Sequence, residues 1–279
     1  MIGSPAPSGL DGYQRDPPAR PLADLPTVQW ATLLGVMTDI DDTLTRDGAI
    51  EPEALAALSD LQAAGVPVIA ITGRPLGWSR PFARDWPLAA IVAENGAVAL
   101  IREGARVRVE YAQDEATRRH NAIRLAQAAQ RVLREVPGAR LAQDSPGREC
   151  DIAVDHSEFA HLDEAAIAQV VAVMQDEGLN ATVSSIHING WIGGHTKLTA
   201  AHWMLSRLFG RDLDAEIGRW LYVGDSTNDQ AMFAAFPLSV GVANLRRFAA
   251  QLHSWPAYLA EGERGRGFAE VARAALAAR

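Results

Sequence analysis

Short apolar runs along the chain stop abruptly at polar residues. The run over residues 33–37 ends at the acids of DIDDTLT, and VPVIAITGRP and WPLAAIVAENGA repeat the pattern. A continuous apolar run that ends in polar residues predicts a strand buried on both faces of a parallel sheet, its C-terminal end at a site. Pro52 opens a helical stretch with leucines at 55, 58 and 61, and Gly65 stops it. Farther on, RWLYVGDSTND is again a strand ending in acids, PLSVGVAN is a last short strand, and the C-terminus reads as helical. Strands and helices in this alternation predict a doubly wound α/β sheet that binds ligands along its carboxyl edge.

Between these blocks the pattern changes. AVALIREGARVRVEY reads as a hairpin turning at Glu103 and Gly104, followed by a long amphipathic helix, the strand CDIAVDH, a helix ended by Gly178, and the strand ATVSSIHING. We expect residues 98–190 to form an inserted α+β module, with residues 31–97 and 191–279 forming the α/β core. Residues 1–30, rich in Pro, Gly and Asp and without periodicity, are expected to be a mobile or loosely docked arm.

Composition narrows the partners. A formal net charge of −8 argues against a general nucleic-acid binder, whose footprint is basic. An anionic ligand stays open, because a bound cation and backbone dipoles can reverse the field in a pocket. No stretch has the ~18 consecutive apolar residues of a membrane span. One cysteine, Cys150, and no signal peptide fit a reducing cytoplasm, and a monomer or homodimer is expected.

The candidate chemistry lies at the strand ends. Asp39, Asp41 and Asp42 repel one another unless a cation offsets them, and Mg²⁺ is a hard ion that takes one or two carboxylates and keeps sites for phosphate oxygens. VGDSTND places Asp225 and Asp229 after another strand, where a shared sheet brings them to Asp39. Thr72 and Lys197 add the hydroxyl donor and the cation that a transferring phosphoryl group requires. Acids and threonines at a strand end are also ordinary turn and N-cap residues. The ordered recurrence of DIDDT, Thr72, Lys197 and GDSTND is what turns the reading toward a site.

In that order, DIDDTLT, ITGR, a single lysine and GDSTND resemble the four signature motifs of the haloacid dehalogenase superfamily over residues 35–245. The insert and AENGA resemble the subclass with a large α/β cap, which includes Cof-like, sucrose-phosphate and mannosyl-phosphoglycerate phosphatases and phosphomannomutases. The resemblance implies Asp39 as nucleophile and Asp41 as acid and base. It implies Mg²⁺ at Asp39, Asp41 and Asp225, with Asp229 as ligand or support. Phosphate binding falls to Thr72, Gly73 and Lys197, with Asn228 orienting the lysine or a metal ligand. Asp42 departs from the pattern, since many members of the subclass carry Gly there.

On the cap, His187, Asn189 and Trp191 alternate on one strand, and Arg148, Glu149 and Asp151 border another. Two readings stand: polar groups that contact the leaving group of a sugar phosphate, or a satisfied cap face. Arg74 is expected to be a solvated loop charge, Asp47 and Gly48 a turn, His195 a hinge-loop residue, and Cys150 a buried small side chain. The expected activity is hydrolysis of a small phosphorylated metabolite. Its rivals are a phosphomutase, which would need several basic residues on the cap, and a non-catalytic binding protein. A P-loop kinase is excluded by the absence of G-x-x-x-x-G-K-[ST].

Overall fold

The structure is a computed structural model and describes residues 19–278. Among these residues, one sheet has nine strands in the order Arg20–Pro21, Tyr258–Leu259, Leu238–Gly241, Trp220–Gly224, Gly35–Thr38, Val68–Ile71, Ala90–Ala93, Val98–Glu103 and Arg106–Tyr111. The first seven pair in parallel, and the last two add on antiparallel. The sheet is buried on both faces because its strands alternate. Val36, Val68 and Ala70 pack with Leu58, Leu61 and Phe268 of the helices Pro52–Ala63 and Arg264–Ala277. Met37, Ile69 and Ile71 pack with Met204, Leu205 and Phe233 of the helices Lys197–Phe209 and Gln230–Ala235 on the other face. The doubly wound α/β core is therefore the observed fold.

Two boundaries differ from the sequence reading. The hairpin 98–111, expected to open the insert, extends the core sheet instead. Val98–Glu103 pairs with Ala90–Ala93; Val98 and Leu100 are fully buried on the face covered by the Leu76–Asp85 helix, and Ala99 and Ile101 are buried on the other. Alternation marks a strand but not the sheet it joins. The expected arm also changes: residues 1–18 lie outside the described residues, whereas 19–30 are docked. Arg20 pairs beside Tyr258 and stacks its guanidinium on that ring, and Leu22, Leu25 and Trp30 are buried in the core. Three large apolar side chains outweigh the local Pro content.

The remaining insert is a four-stranded antiparallel sheet, in the order Asn180–Val183, His187–Trp191, Asp151–Asp155 and Arg140–Leu141. The helices Glu115–Glu135 and Glu164–Asp176 cover one face of it and share a small core of Leu125, Val132, Val154, Val170, Met174 and Ile188. Its other face turns toward the carboxyl edge of the large sheet. Asn189 and Arg148 reach from it to the carbonyl of Gly73.

Candidate active site

The parallel register sets Thr38 level with Val223, so the residues that follow the two central strands emerge side by side. Asp39 leaves one strand and Asp225 the other, and the one-turn loop after Asp225 returns Asp229 beneath them. Carboxylate oxygens of Asp39, Asp225 and Asp229 lie within 4.8 Å of one another, all buried. Lys197, the first residue of its helix, is buried among them. Its Nζ donates to Asp39 Oδ1 and Asp229 Oδ1 at 2.7 Å each, and to Asn228 Oδ1 at 3.4 Å. Thr196 and Thr199 cap that helix reciprocally, which fixes where the lysine starts.

The electrostatics follow from three acids and one cation in a dry site. Burial, opposed by Lys197 and reinforced by Asp229 and Asp41, pushes the Asp39 carboxyl up to about 7. Burial and the charges of Asp39 and Asp229 hold Asp225 well above the ordinary carboxylate range. The lysine is desolvated too, yet Asp229 and Asp39 raise its pKa. One ammonium does not balance three carboxylates. A hard divalent cation suits the donor set, and Asp39 and Asp225 are the acids placed to hold it. Asp229 is spoken for: besides Lys197, it accepts from the Tyr222 hydroxyl and from the amides of Asp225 and Ser226. Asp225 accepts from Thr43 and Asn244. Thr43 belongs to the DIDDT motif, whereas Tyr222 sits inside an apolar strand and Asn244 in a short 3-10 turn, where neither carries a mark of its carboxylate partner.

Gly224 makes this packing possible, because a Cβ there would sit 2.5 Å from Asp229 Oδ2. Gly224→Ala is expected to cost about 1–3 kcal/mol by overpacking. It should also lower activity by shifting the carboxylate that anchors Lys197. Thermal unfolding and turnover check the two effects together, and unchanged values for both would refute the packing argument.

Asp41 faces the insert. Burial raises its pKa, and Arg74, whose Nε donates to both carboxylate oxygens at 2.9 and 3.0 Å, opposes the rise. Here the sequence reading of Arg74 as a solvated loop charge is corrected. The residue is 4% exposed, lies over Trp78, and binds Asp144 at 3.2 Å and Glu158 at 2.9 Å, both from the insert. Burial works against the Glu158 carboxylate, but His187 at 2.8 Å and Arg74 bring it down to about 2.

The remaining residues singled out in the sequence divide into two groups. Thr72 is buried at the end of its strand, and its hydroxyl accepts the Arg74 amide at 3.0 Å. The Gly73 carbonyl accepts from Arg148 at 2.9 Å and Asn189 at 3.3 Å. Arg148 pairs with Asp151 at 2.8 Å and Asp144 at 3.1 Å, and Asn189 donates to Asp151 at 3.1 Å. Thus Arg148, Asp151 and Asn189 form a satisfied polar cluster against the Gly73 carbonyl, while His187 supports Glu158 of the insert. A cavity of about 270 Å³ opens beside Asp41, and its walls from the insert are Ser157, Glu158, Phe159, Ser185 and Ile186 instead. The sequence reading missed Glu94, which takes a left-handed φ of 51° and accepts the amides of Leu76, Glu149 and Cys150, joining the two layers. AENGA carried that signal in its glycine, next to Asn95 at φ 56°.

Fold and site together define a doubly wound α/β core with an acidic, lysine-centred site at its sheet edge under an α/β cap. Residues 36–130 match the family model of haloacid dehalogenase-like hydrolases. A phosphoglycolate phosphatase of Methanothermobacter thermautotrophicus is 26% identical over 242 residues, covering 85% of this chain and 96% of the relative. Among solved structures, a HAD/COF-like hydrolase from Plasmodium vivax superposes with TM-score 0.65 at 16% identity, over 91% of this chain and 99% of the other. The sucrose-phosphatase of Synechocystis, solved with sucrose and phosphate, superposes with TM-score 0.62 at 17% identity, over 87% and 97%. Over residues 36–130 the chain is similar to the haloacid dehalogenase-like hydrolases, and it shares its overall fold with the Plasmodium vivax and Synechocystis structures.

Proposed function

We propose that this hydrolase is a phosphomonoesterase for a small phosphorylated metabolite, a sugar or sugar-like phosphate, working through an aspartyl phosphate on Asp39. The observation that carries the reading is the buried lysine shared at 2.7 Å between Asp39 and Asp229, with Asp41 set apart in its own environment. Two carboxylates in different surroundings take different roles. Asp39 Oδ attacks phosphorus as the bond to the leaving oxygen breaks, and Asp41, whose pKa burial has raised, protonates that oxygen. Asp41, now ionised, takes a proton from water as the water oxygen attacks phosphorus. The acyl–phosphate bond then breaks and releases phosphate.

Lys197 neutralises nucleophile and phosphoryl oxygens together, held in place by Asp229 and Asn228. The Thr72 hydroxyl and the Gly73 amide bind the phosphoryl oxygens. Mg²⁺ would be held by Asp39, Asp225 and the Asp41 carbonyl, with Asp229 in support, and when bound it supplies charge that offsets the transferring group.

The names of the relatives, phosphoglycolate phosphatase and sucrose-phosphatase, support phosphomonoester hydrolysis, and the small cavity supports a small leaving group. Arg148, the cap cation a mutase would use for a second phosphate, is committed to Asp144 and Asp151.

The test is phosphate release from a panel of sugar, glycerate, nucleotide and cofactor phosphates, with Mg²⁺ and with EDTA. We expect turnover of one or two esters that EDTA abolishes. No release from any of them by folded, metal-loaded protein would overturn the proposal in favour of a binding role.

A further inference from the structure

A leaving group protonated by Asp41 must lie in the cavity that Asp41 lines, so the far wall of that cavity bears on which ester fits. Three arginines line it: Arg74, Arg247 and Arg264. Arg74 faces three carboxylates, Asp41, Asp144 and Glu158, so its charge is more than matched. Arg247 and Arg264 share one. Asp42 lies 3.2 Å from the first and 2.7 Å from the second, and the next acid, Asp225, is 3.9 Å from Arg247 in the position suited to a cation. Asp47, the remaining acid on the wall, is exposed and pairs with neither arginine among the described residues. The inner end of the cavity is therefore acidic, while the end at Arg247 and Arg264 holds an unmatched positive charge.

The backbone is bent to make this arrangement. Asp42 has φ 56° and Arg264 has φ 52°, left-handed conformations that cost a non-glycine residue about 1 kcal/mol or more each. Asn244 ties them together: its Nδ2 donates to the Asp42 carbonyl and its Oδ1 accepts the Arg264 amide, both at 2.9 Å. A glycine at 42 would relieve the first strain, so the carboxylate earns its place by holding two guanidinium groups together against their repulsion. Their side chains keep 48% and 16% of their exposure, which leaves donors available on the cavity side.

On the phosphomonoesterase reading, we infer that Arg247 and Arg264 form a subsite for a second anionic group on the substrate. The enzyme then selects phosphoesters whose leaving group carries a carboxylate or similar anion over uncharged esters of the same size. Lys197, Thr72 and the Gly73 amide hold the phosphoryl end, and the arginine pair fixes the other end of the molecule, which orients the scissile oxygen toward Asp41.

The test compares 2-phosphoglycolate, 2-hydroxyethyl phosphate and O-phosphoethanolamine, whose leaving groups differ in charge but little in size, with p-nitrophenyl phosphate as a generic ester. Wild type is expected to favour the acid over the uncharged ester by roughly 10- to 100-fold in kcat/KM, mostly through KM. Arg247→Glu should erase that ratio and raise the relative rate on the amine, and Arg264→Gln should reduce the ratio without reversing it. A switch toward the cationic ester is an outcome that a merely structural role does not produce. An unchanged ratio in both folded variants, or a wild type that prefers the uncharged ester, overturns the subsite. Failure of all four esters and of the whole phosphate panel above, with folded, metal-loaded wild type, overturns the phosphomonoesterase reading itself, whereas failure of the four alone, or turnover without discrimination, overturns only the anion subsite.

Discussion

Asp39→Asn is expected to lower kcat by about 10⁴-fold or more while leaving the fold intact. The amide is isosteric and still offers Lys197 an oxygen, but it is a poor nucleophile toward phosphorus and cannot form the acyl phosphate. The fold should survive because the removed charge is one the interior resists: burial is the largest influence on Asp39, ahead of its attraction to Lys197. A folded variant that kept even a hundredth of wild-type turnover would remove Asp39 as nucleophile.

The same substitution should show in the pH dependence of stability without metal. The Asp39 carboxyl titrates near 7 when folded and near 3.8 when unfolded. Between those values the folded chain keeps a proton that the unfolded chain has released. Stability therefore falls as pH rises from about 4 to about 7, then levels off. Asp225, raised by burial and by the same neighbours, adds to the slope in the same direction. In EDTA, Asp39→Asn should flatten part of this decline and unfold at a temperature closer to, or above, that of wild type at pH 7.5. Divalent metal should narrow the difference by offsetting the carboxylates of the wild-type protein. A decline equally steep in both proteins would show that Asp39 is not the group that titrates.

The parts of this site legible in the sequence were those written at strand ends. Asp39, Asp41, Asp225 and Asp229 follow apolar runs, so a parallel sheet has to bring them to one edge, and only the pairing order was missing. Lys197 was legible through its place after the insert. Arg74 was not legible, because what buries it comes from Asp41, Asp144 and Glu158, at separations of 33, 70 and 84 residues. An arginine after a glycine in a loop carries no mark of such partners. The hairpin 98–111 failed for a similar reason: a strand's period tells that it is half or fully buried, not against which sheet. His187 and Asn189 share one strand, but Asn189 is committed to Gly73 and Asp151 and His187 to Glu158, and the cavity opens on the neighbouring turns at Ser157 and Ser185. Segments 19–30 offered a clue in Leu22, Leu25 and Trp30 that their prolines concealed.

Arg74→Met should be the most damaging change outside the three central acids and Lys197, for two separable reasons. First, it leaves Asp41, Asp144 and Glu158 without their shared cation in a buried setting, and breaking such a pair from one side costs about 3–5 kcal/mol. Asp144 and Glu158 belong to the cap, so the loss should weaken its closure and raise KM. Second, Arg74 is the main influence that holds the Asp41 pKa down against burial. Without it the pKa rises further, and the ionised form that must accept the proton from water is reached only at higher pH. Dephosphorylation should become rate-limiting, with kcat down roughly 10²–10³-fold at neutral pH and the acidic limb of the pH–rate profile displaced upward. The protonated form that serves the first step is by contrast favoured, so a phosphorylated enzyme should accumulate and be trapped by acid quench. Arg74→Lys restores a charge but not the fork that spans three carboxylates, and should recover the pH profile better than the KM. A profile that stays in place in Arg74→Met, with only stability lost, would limit Arg74 to closing the cap and leave the pKa of Asp41 to burial alone.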